Sequence, residues 1–167
     1  GNLLWNGNLD SVATETTCAN DLEVTPDEGY VVVGSTKQGS DNNVQVSRVS
    51  RSGALVWQRD FDGPSGKDDY GHFARVTPEG TIFVFGSASR TSGNLDHWIL
   101  KLDRDGEVMG TVLWDGGTDR DDHMTDAVLD SVDSMYVIGK SRRPTSGWDL
   151  TTLKIHSDLQ VLWEKRY

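Results

Sequence analysis

The chain is short of cysteine, proline and positive charge. Cys18 is its only cysteine, so no disulfide can close within the chain and a disulfide-stapled scaffold is excluded. Lys and Arg number 16 against 26 Asp and Glu, a formal net charge of −10. Nucleic acid and anionic lipid surfaces both recruit positive charge, so neither is expected as a general partner. No apolar run approaches the ~18 residues of a membrane-spanning helix, so membrane insertion is not expected. No capped segment with a 3.6-residue apolar period appears, which argues against helices. Asn-x-Ser/Thr is missing at every asparagine, so N-linked glycosylation is not expected. No charged-then-apolar leader is visible, and the chain begins at Gly1 rather than Met. A processed or cut-down form, or part of a longer chain, is the expectation.

What is present is a repeat. Val-Val-Val-Gly-Ser (31–35) aligns with Phe-Val-Phe-Gly-Ser (83–87) and Tyr-Val-Ile-Gly-Lys (136–140), and Gly34, Gly86 and Gly139 lie 52 and 53 residues apart. Thr25-Pro26 matches Thr77-Pro78, Asn43 matches Asp96 and Asp149, and Asp68-Asp69 matches Asp121-Asp122, all in one register. A period near 50 marks a repeat architecture whose units bury their apolar faces against one another. The units run over 11–62, 63–115 and 116–167, after a leading segment 1–10.

Each unit reads as four strands. Strand one covers 21–25, 73–77 and 125–130. Strand two covers 30–35, 81–87 and 135–140. Strand three covers 44–49, 97–102 and 150–155, and strand four covers 54–61, 107–114 and 159–167. The second strands are apolar on successive residues, which predicts burial on both faces, with Val32, Val84 and Val137 deep inside. Ser50-Arg51-Ser52-Gly53 and Asp103-Arg104-Asp105-Gly106 read as tight turns with Gly at positive φ. The third copy has Leu159 where Gly is required, so a different turn is expected there. Residues 12–20 read as loop. Trp5 lies 52 before Trp57, so Leu3–Leu9 is an extra copy of strand four.

The stretches Thr-Pro-Asp-Glu-Gly-Tyr-Val-Val-Val-Gly-Ser, Trp-Ile-Leu-Lys-Leu-Asp-Arg-Asp-Gly and Leu-Val-Trp-Gln-Arg-Asp-Phe-Asp-Gly resemble secreted bacterial-type β-propeller repeats. The resemblance covers essentially the whole chain and implies an all-β, propeller-like fold of four-stranded blades, at the cell surface or outside the cell. Two departures stand out: Gly110 replaces the Trp of strand four in the second copy, and Leu159 replaces the turn Gly in the third. A β-trefoil is the alternative with three four-stranded units.

The acidic loops suggest calcium. Asp62, Asp68 and Asp69, and their counterparts Asp115, Asp121 and Asp122, offer the hard oxygen donors that calcium takes. The competing explanation is that these Asp side chains cap turns and backbone N–H groups. Calcium apart, no cofactor is expected. Trp98 and Trp148 lack counterparts in the first copy, which makes them candidates for stacking on sugars. His123 beside Asp121-Asp122 is the one histidine next to a carboxylate cluster. The surplus strand suggests assembly through the chain ends, at Leu3, Leu4 and Trp5 and at Leu162, Trp163 and Tyr167. Its partners would be copies of the chain or the remainder of a longer one. No reactive group repeats with the units. The expected function is therefore a non-enzymatic, extracellular structural or adhesive module forming oligomers or filaments. The alternative is a calcium-dependent, glycan-binding lectin.

Overall fold

A computed structural model describes residues 17–90, 93–117, 120–130, 134–145 and 147–167. Twelve strands form three four-stranded antiparallel sheets. The first sheet holds β1 (Thr17–Val24), β2 (Tyr30–Gln38), β3 (Asp41–Val49) and β4 (Leu55–Phe61). The second holds β5 (Asp69–Val76), β6 (Ile82–Ser89), β7 (Leu95–Leu102) and β8 (Val108–Trp114). The third holds β9 (Asp122–Leu129), β10 (Ser134–Arg143), β11 (Gly147–His156) and β12 (Val161–Arg166). Each sheet is a meander in chain order. The all-β class and the four-strand unit follow the sequence pattern. Strand one starts several residues earlier than expected, so Thr17–Asn20 is strand rather than loop. Its irregular spacing comes from a bulge at Asn20, repeated at His72 and Thr125, which breaks the period of two. The leading segment lies outside the described residues.

The sheets stack face to face, with the second in the middle. Strand β5 packs against β1, β2 and β3, and β9 packs against β5, β6 and β7. Two cores result. Val31, Val33, Val44 and Val46 of the first sheet meet Ala74, Ile82, Val84, Trp98 and Leu100 of the second. The other face of the second sheet, with Phe73, Phe83, Phe85 and Ile99, meets Met124, Met135, Val137, Leu153 and Ile155 of the third. Every residue of β6 is therefore buried.

Strands β2 and β10 are its repeat equivalents but are covered on one face only. In β2, Val31 and Val33 are buried, whereas Val32 points away from the stack and is only half-buried. The expectation of deep burial is corrected for Val32, because a continuous apolar run needs a sheet on each side and the first sheet has one. It holds for Val84 and Val137. In β10, Ile138 is the exposed counterpart of the fully buried Phe85.

The turn of the third sheet is not a different turn. His156 N–H donates to the Gln160 carbonyl and Leu159 N–H to the His156 carbonyl. The same pair of bonds closes Ser50–Ala54 and Asp103–Glu107. Leu159 adopts φ 72°, beside 84° at Gly53 and 81° at Gly106. A leucine there is strained, and packing holds it in place. In the first junction, Trp57 of strand four lies over the turn of the second sheet. Its indole donates to the Arg104 carbonyl at 3.0 Å, and a Cβ on Gly106 would meet its ring at 3.1 Å. In the second junction the sizes are exchanged. Gly110 stands where Trp57 stood, and the buried Leu159 side chain fills the space, 3.2 Å from where a Gly110 Cβ would be. The two departures from the repeat are thus one compensated exchange of large for small.

The central sheet predicts unequal sensitivity at two equivalent valines. Val84→Asp buries an unpaired charge and is expected to cost about 4 kcal/mol or more. Val32→Asp, facing the uncovered side, is expected to cost about 1 kcal/mol. Equal urea midpoints for the two variants would contradict the three-layer stack.

Candidate functional site

The acidic loops lie at the junctions between sheets, and each carboxylate has a distinct position. Asp68 and Asp121 reach back to the preceding sheet. Asp68 Oδ1 accepts from the Asn42 N–H at 2.9 Å and from its side-chain amide at 2.8 Å. Asp121 Oδ1 accepts from the equivalent Leu95 N–H at 3.1 Å. Asp69 and Asp122 open the next sheet and are wholly buried. Each accepts through Oδ2 from a glycine N–H of its own loop, Gly63 or Gly116. Only glycine permits that approach: a Cβ on Gly63 would lie 2.5 Å from Asp69, and one on Gly116 2.9 Å from Asp122. For Asp68, Asp69 and Asp121 these bonds are the turn-capping chemistry weighed against calcium in the sequence.

Sequence reasoning missed one member of this group. Asp96 on β7, with Asp115 and Asp122, brings three carboxylate oxygens within 4.8 Å of one another. Asp96 is fully buried and pairs through Oδ2 with Nε of Arg90. The signal was in the repeat, since position 43/96/149 was already a landmark, but only its spacing was used. Asp62 and Asp68 lie at the other junction. Burial raises the carboxyl of Asp96 to about 6, against the pull of Arg90. Burial likewise raises Asp69 to about 6, against the Gly63 and Ser89 N–H donors. Asp122 is raised too, again by burial first.

Beside the second junction three histidines gather from β5, β7 and β9. His97 is buried, its ring stacked on Trp114 at 5.3 Å, and neither of its nitrogens has a hydrogen-bond partner among the described residues. It occupies the position of the core residue Val44. Burial, followed by the charges of His123, His72 and Arg166, lowers it to about 3. His72 meets the Ser87 hydroxyl at 3.0 Å, and His123 tilts against Trp148 at 5.2 Å.

The tryptophan candidates separate. Trp98 is 5% exposed, packs in the first core and donates its indole N–H to Thr111 Oγ1 at 2.7 Å. It is a core residue rather than a sugar platform. Trp148 is 43% exposed, with Lys140 Nζ 4.6 Å from its ring centre. On the last strand and just after it, Leu162, Trp163 and Tyr167 are exposed. Leu3, Leu4 and Trp5 lie outside the described residues. A cavity of about 710 Å³ lies along the Ser50–Ser52 turn, where Arg48 pairs with Asp27 and Arg51 with Glu28.

No protein-family model and no curated protein sequence matches the chain. Solved structures do. A crystal structure of a eukaryotic initiation factor matches with TM-score 0.61 at 11% identity, over 98% of this chain and 35% of that one. A mutant of Synechocystis apocarotenoid oxygenase matches with TM-score 0.53 at 11% identity, over 90% of this chain and 39% of that one. A chimera of that oxygenase with RPE65 matches with TM-score 0.54 at 13% identity, again over 90% and 39%. This chain thus spans between a third and two fifths of those lengths. At such identity the likeness speaks for the fold alone. The expectation that the chain is not an enzyme is corrected to this extent: two of these structures are of an oxygenase and its chimera, so the shared fold is one that enzymes also use.

The buried groups give opposed pH effects. His97 titrates near 3 when folded, against about 6.5 unfolded, so the unfolded chain binds more protons in that window. Stability from this group falls as pH drops through it. Asp69 and Asp96, raised to about 6, act oppositely: their contribution is full below about 3.9 and is lost as pH rises through 6. His97→Leu removes only the first effect. Its advantage over the parent in urea midpoint is expected to widen as pH falls from about 6.5 towards 4. A difference independent of pH would mean that His97 is not held neutral in the core.

Proposed function

We propose that the chain is a structural assembly module of the β-propeller type, whose two outer faces each take another four-stranded sheet of the same pattern. For the isolated chain, that sheet belongs to a second copy docked head to tail. The observation behind this is the repeat equivalence of the outer faces. The outer face of the third sheet, with Val128, Ile138, Leu150 and Trp163 exposed, corresponds to the face that the second sheet buries under the third. The outer face of the first sheet, with Leu22 and Val24 exposed, corresponds to the face that the second sheet buries under the first. Apolar positions left uncovered in such a row mark an interaction surface.

The large-for-small rule selects the partner face. Trp163 is the strict counterpart of Trp57 and is 39% exposed, with none of the three described sheets lying under it as the second lies under Trp57. The turn of the first sheet carries Gly53, the counterpart of Gly106. Trp163 of one copy therefore fits over Gly53 of the next, as Trp57 fits over Gly106 within the chain. Pairing third sheet with third sheet would set Trp163 against Trp163. Charge runs the same way, since Lys140 lies on the third sheet's outer face and the exposed Asp60, bonded to Gln45, on the first sheet's. Such a contact is heterologous and builds a ring or an open filament, according to whether the rotation closes. The sugar-binding alternative has less behind it: Trp98 is buried and Lys140 lies over the ring of Trp148.

Sedimentation equilibrium of the 167-residue chain tests this reading. The parent is expected to self-associate with concentration. Gly53→Leu, a substitution that the same turn already tolerates at Leu159, is expected to weaken association by about 2 kcal/mol or ~30-fold, the scale of a lost tryptophan anchor. Adding Trp163→Gly recreates the Gly110–Leu159 exchange between copies and is expected to recover most of the loss. A parent that stays monomeric at high concentration, or a double variant no better than Gly53→Leu, would rule out the head-to-tail contact.

A further inference from the structure

The two junctions between sheets use the same residue positions but not the same chemistry. The first has Asn43, Asp62 and Asp69 where the second has Asp96, Asp115 and Asp122. In the first, both oxygens of Asp69 are taken, Oδ2 by the Gly63 N–H and Oδ1 by the Ser89 N–H at 3.1 Å. The third position there is a neutral amide, which donates to Gln38 at 3.3 Å. In the second, the Gly116 N–H still holds Asp122 Oδ2 at 2.8 Å and the Ser141 side chain lies beside the carboxylate, but Asp122 Oδ1 has no hydrogen-bond partner among the described residues. Asp96 Oδ1 has none either. Both residues are 0% exposed. Replacing the amide by a carboxylate thus brings a further negative charge and leaves two buried oxygens bare. Buried polar atoms are rarely left unsatisfied, and unsatisfied anionic ones least of all. Arg90 accounts for Asp96 Oδ2 and stands 3.9 Å from Asp115. Arg166 donates to the Gly116 carbonyl. Neither cation meets the two bare oxygens.

We propose that the junction between the second and third sheets binds one calcium ion, held by the carboxylates of Asp96, Asp115 and Asp122. The donor set is all oxygen, which selects a hard cation over zinc or copper. Donor oxygens within 4.8 Å of one another are close enough for one ion to bridge all three after a shift of a few tenths of an ångström towards the ~2.4 Å that calcium prefers. Magnesium needs ~2.1 Å and near-ideal octahedral geometry, so it fits less well without the group closing. Asp115 is half-buried, and its Oδ1 accepts from the Gly117 N–H at 3.0 Å, so Oδ2 is the oxygen it has for an ion. The ion would tie strand three and the outgoing loop of one sheet to the first residue of the next. It would replace the backbone bond that Ser89 supplies at the first junction.

Calcium chloride titrated into the 167-residue chain, by calorimetry and by thermal melting, tests the site. One ion per chain is expected, with a dissociation constant on the order of 10⁻⁴–10⁻³ M, a melting temperature that rises with calcium, and a weaker response to magnesium. The site lies within one chain, so its stoichiometry is the same whether or not copies self-associate. Asp96→Asn recreates the amide of the first junction. It is expected to fold without calcium at least as well as the parent and to bind calcium about tenfold more weakly or worse. Asp115→Asn, at a half-buried loop position, carries the same expectation and stands in should Asp96→Asn fail to fold. Asp62→Asn, at the first junction, should leave the response unchanged. No heat and no melting shift up to ~10 mM calcium would overturn the site. So would a folded Asp96→Asn or Asp115→Asn variant that binds as the parent does.

Discussion

A four-stranded sheet with two apolar faces cannot satisfy both against a single neighbour, and the rest of this structure follows from that constraint. The second sheet meets it fully, since β6 is buried along its whole length between two cores. The first and third sheets meet it by half. Their inner faces carry the same burial as the second sheet, and their outer faces carry the same residue pattern without the cover. The difference between Val84 and Val32, or between Phe85 and Ile138, is therefore one of neighbours rather than of residue type. The inner strands add polar ties to this stack. Arg75 of β5 pairs with Asp126 of β9 and lies 3.6 Å from Asp21 of β1, and Asn20 donates to the Gly71 carbonyl at 2.7 Å. These ties fix the order and register of the layers, while the apolar faces supply most of the free energy.

Much of this was legible in the sequence, because a repeat states its own register. Glycine spacing, the Thr-Pro pair and the Asp pairs located all three sheets, but the hairpin between strands two and three runs two or three residues further on each side than expected. What was not legible depended on things that a linear pattern does not carry. The bulges at Asn20, His72 and Thr125 shift the alternation of strand one, so its start read as loop. Val32 looked like Val84 because the sequence shows a strand's own residues and not what lies against it. Trp98 looked exceptional because the first copy has Gln45 there. The reason is that position 98 faces another sheet, whereas position 45 faces outward. Asp96 was visible as a spacing landmark but invisible as a partner of Asp115 and Asp122, since only the junction brings strand three, one loop and the next strand together.

Departures from the repeat carry more information than its agreements. Gly110 and Leu159, taken singly, are a missing anchor and a residue in the wrong turn. Together they are a complementary pair across one junction, and the strain at Leu159 is offset by the volume it fills. The same holds for charge. Asn43 with a satisfied Asp69 makes a closed first junction, and Asp96 with an unsatisfied Asp122 makes an open second one. Both departures fall on the boundary between the second and third sheets. His97, a core histidine in the place of Val44, lies there too.

That concentration bears on where function resides in a chain of near-identical units. Identical junctions would share strain, charge and burial equally, and none would be a distinct site. Here the first junction keeps the general solution: a tryptophan over a glycine turn, and carboxylates capped by backbone N–H groups. The second has a smaller strand-four residue, a leucine in the turn, a third carboxylate and an unpartnered imidazole. Each of those costs stability in isolation, and a packing role explains only the first two. Asp96 pairs with Arg90 and His97 stacks on Trp114, but the stack does not require either group, since Asn and Val serve at the same positions one junction earlier. Polar groups retained at a cost, in one junction and not its twin, are what a binding site adds to a scaffold. The apolar outer faces belong to the scaffold, and the second junction is where this chain differs from its own repeat.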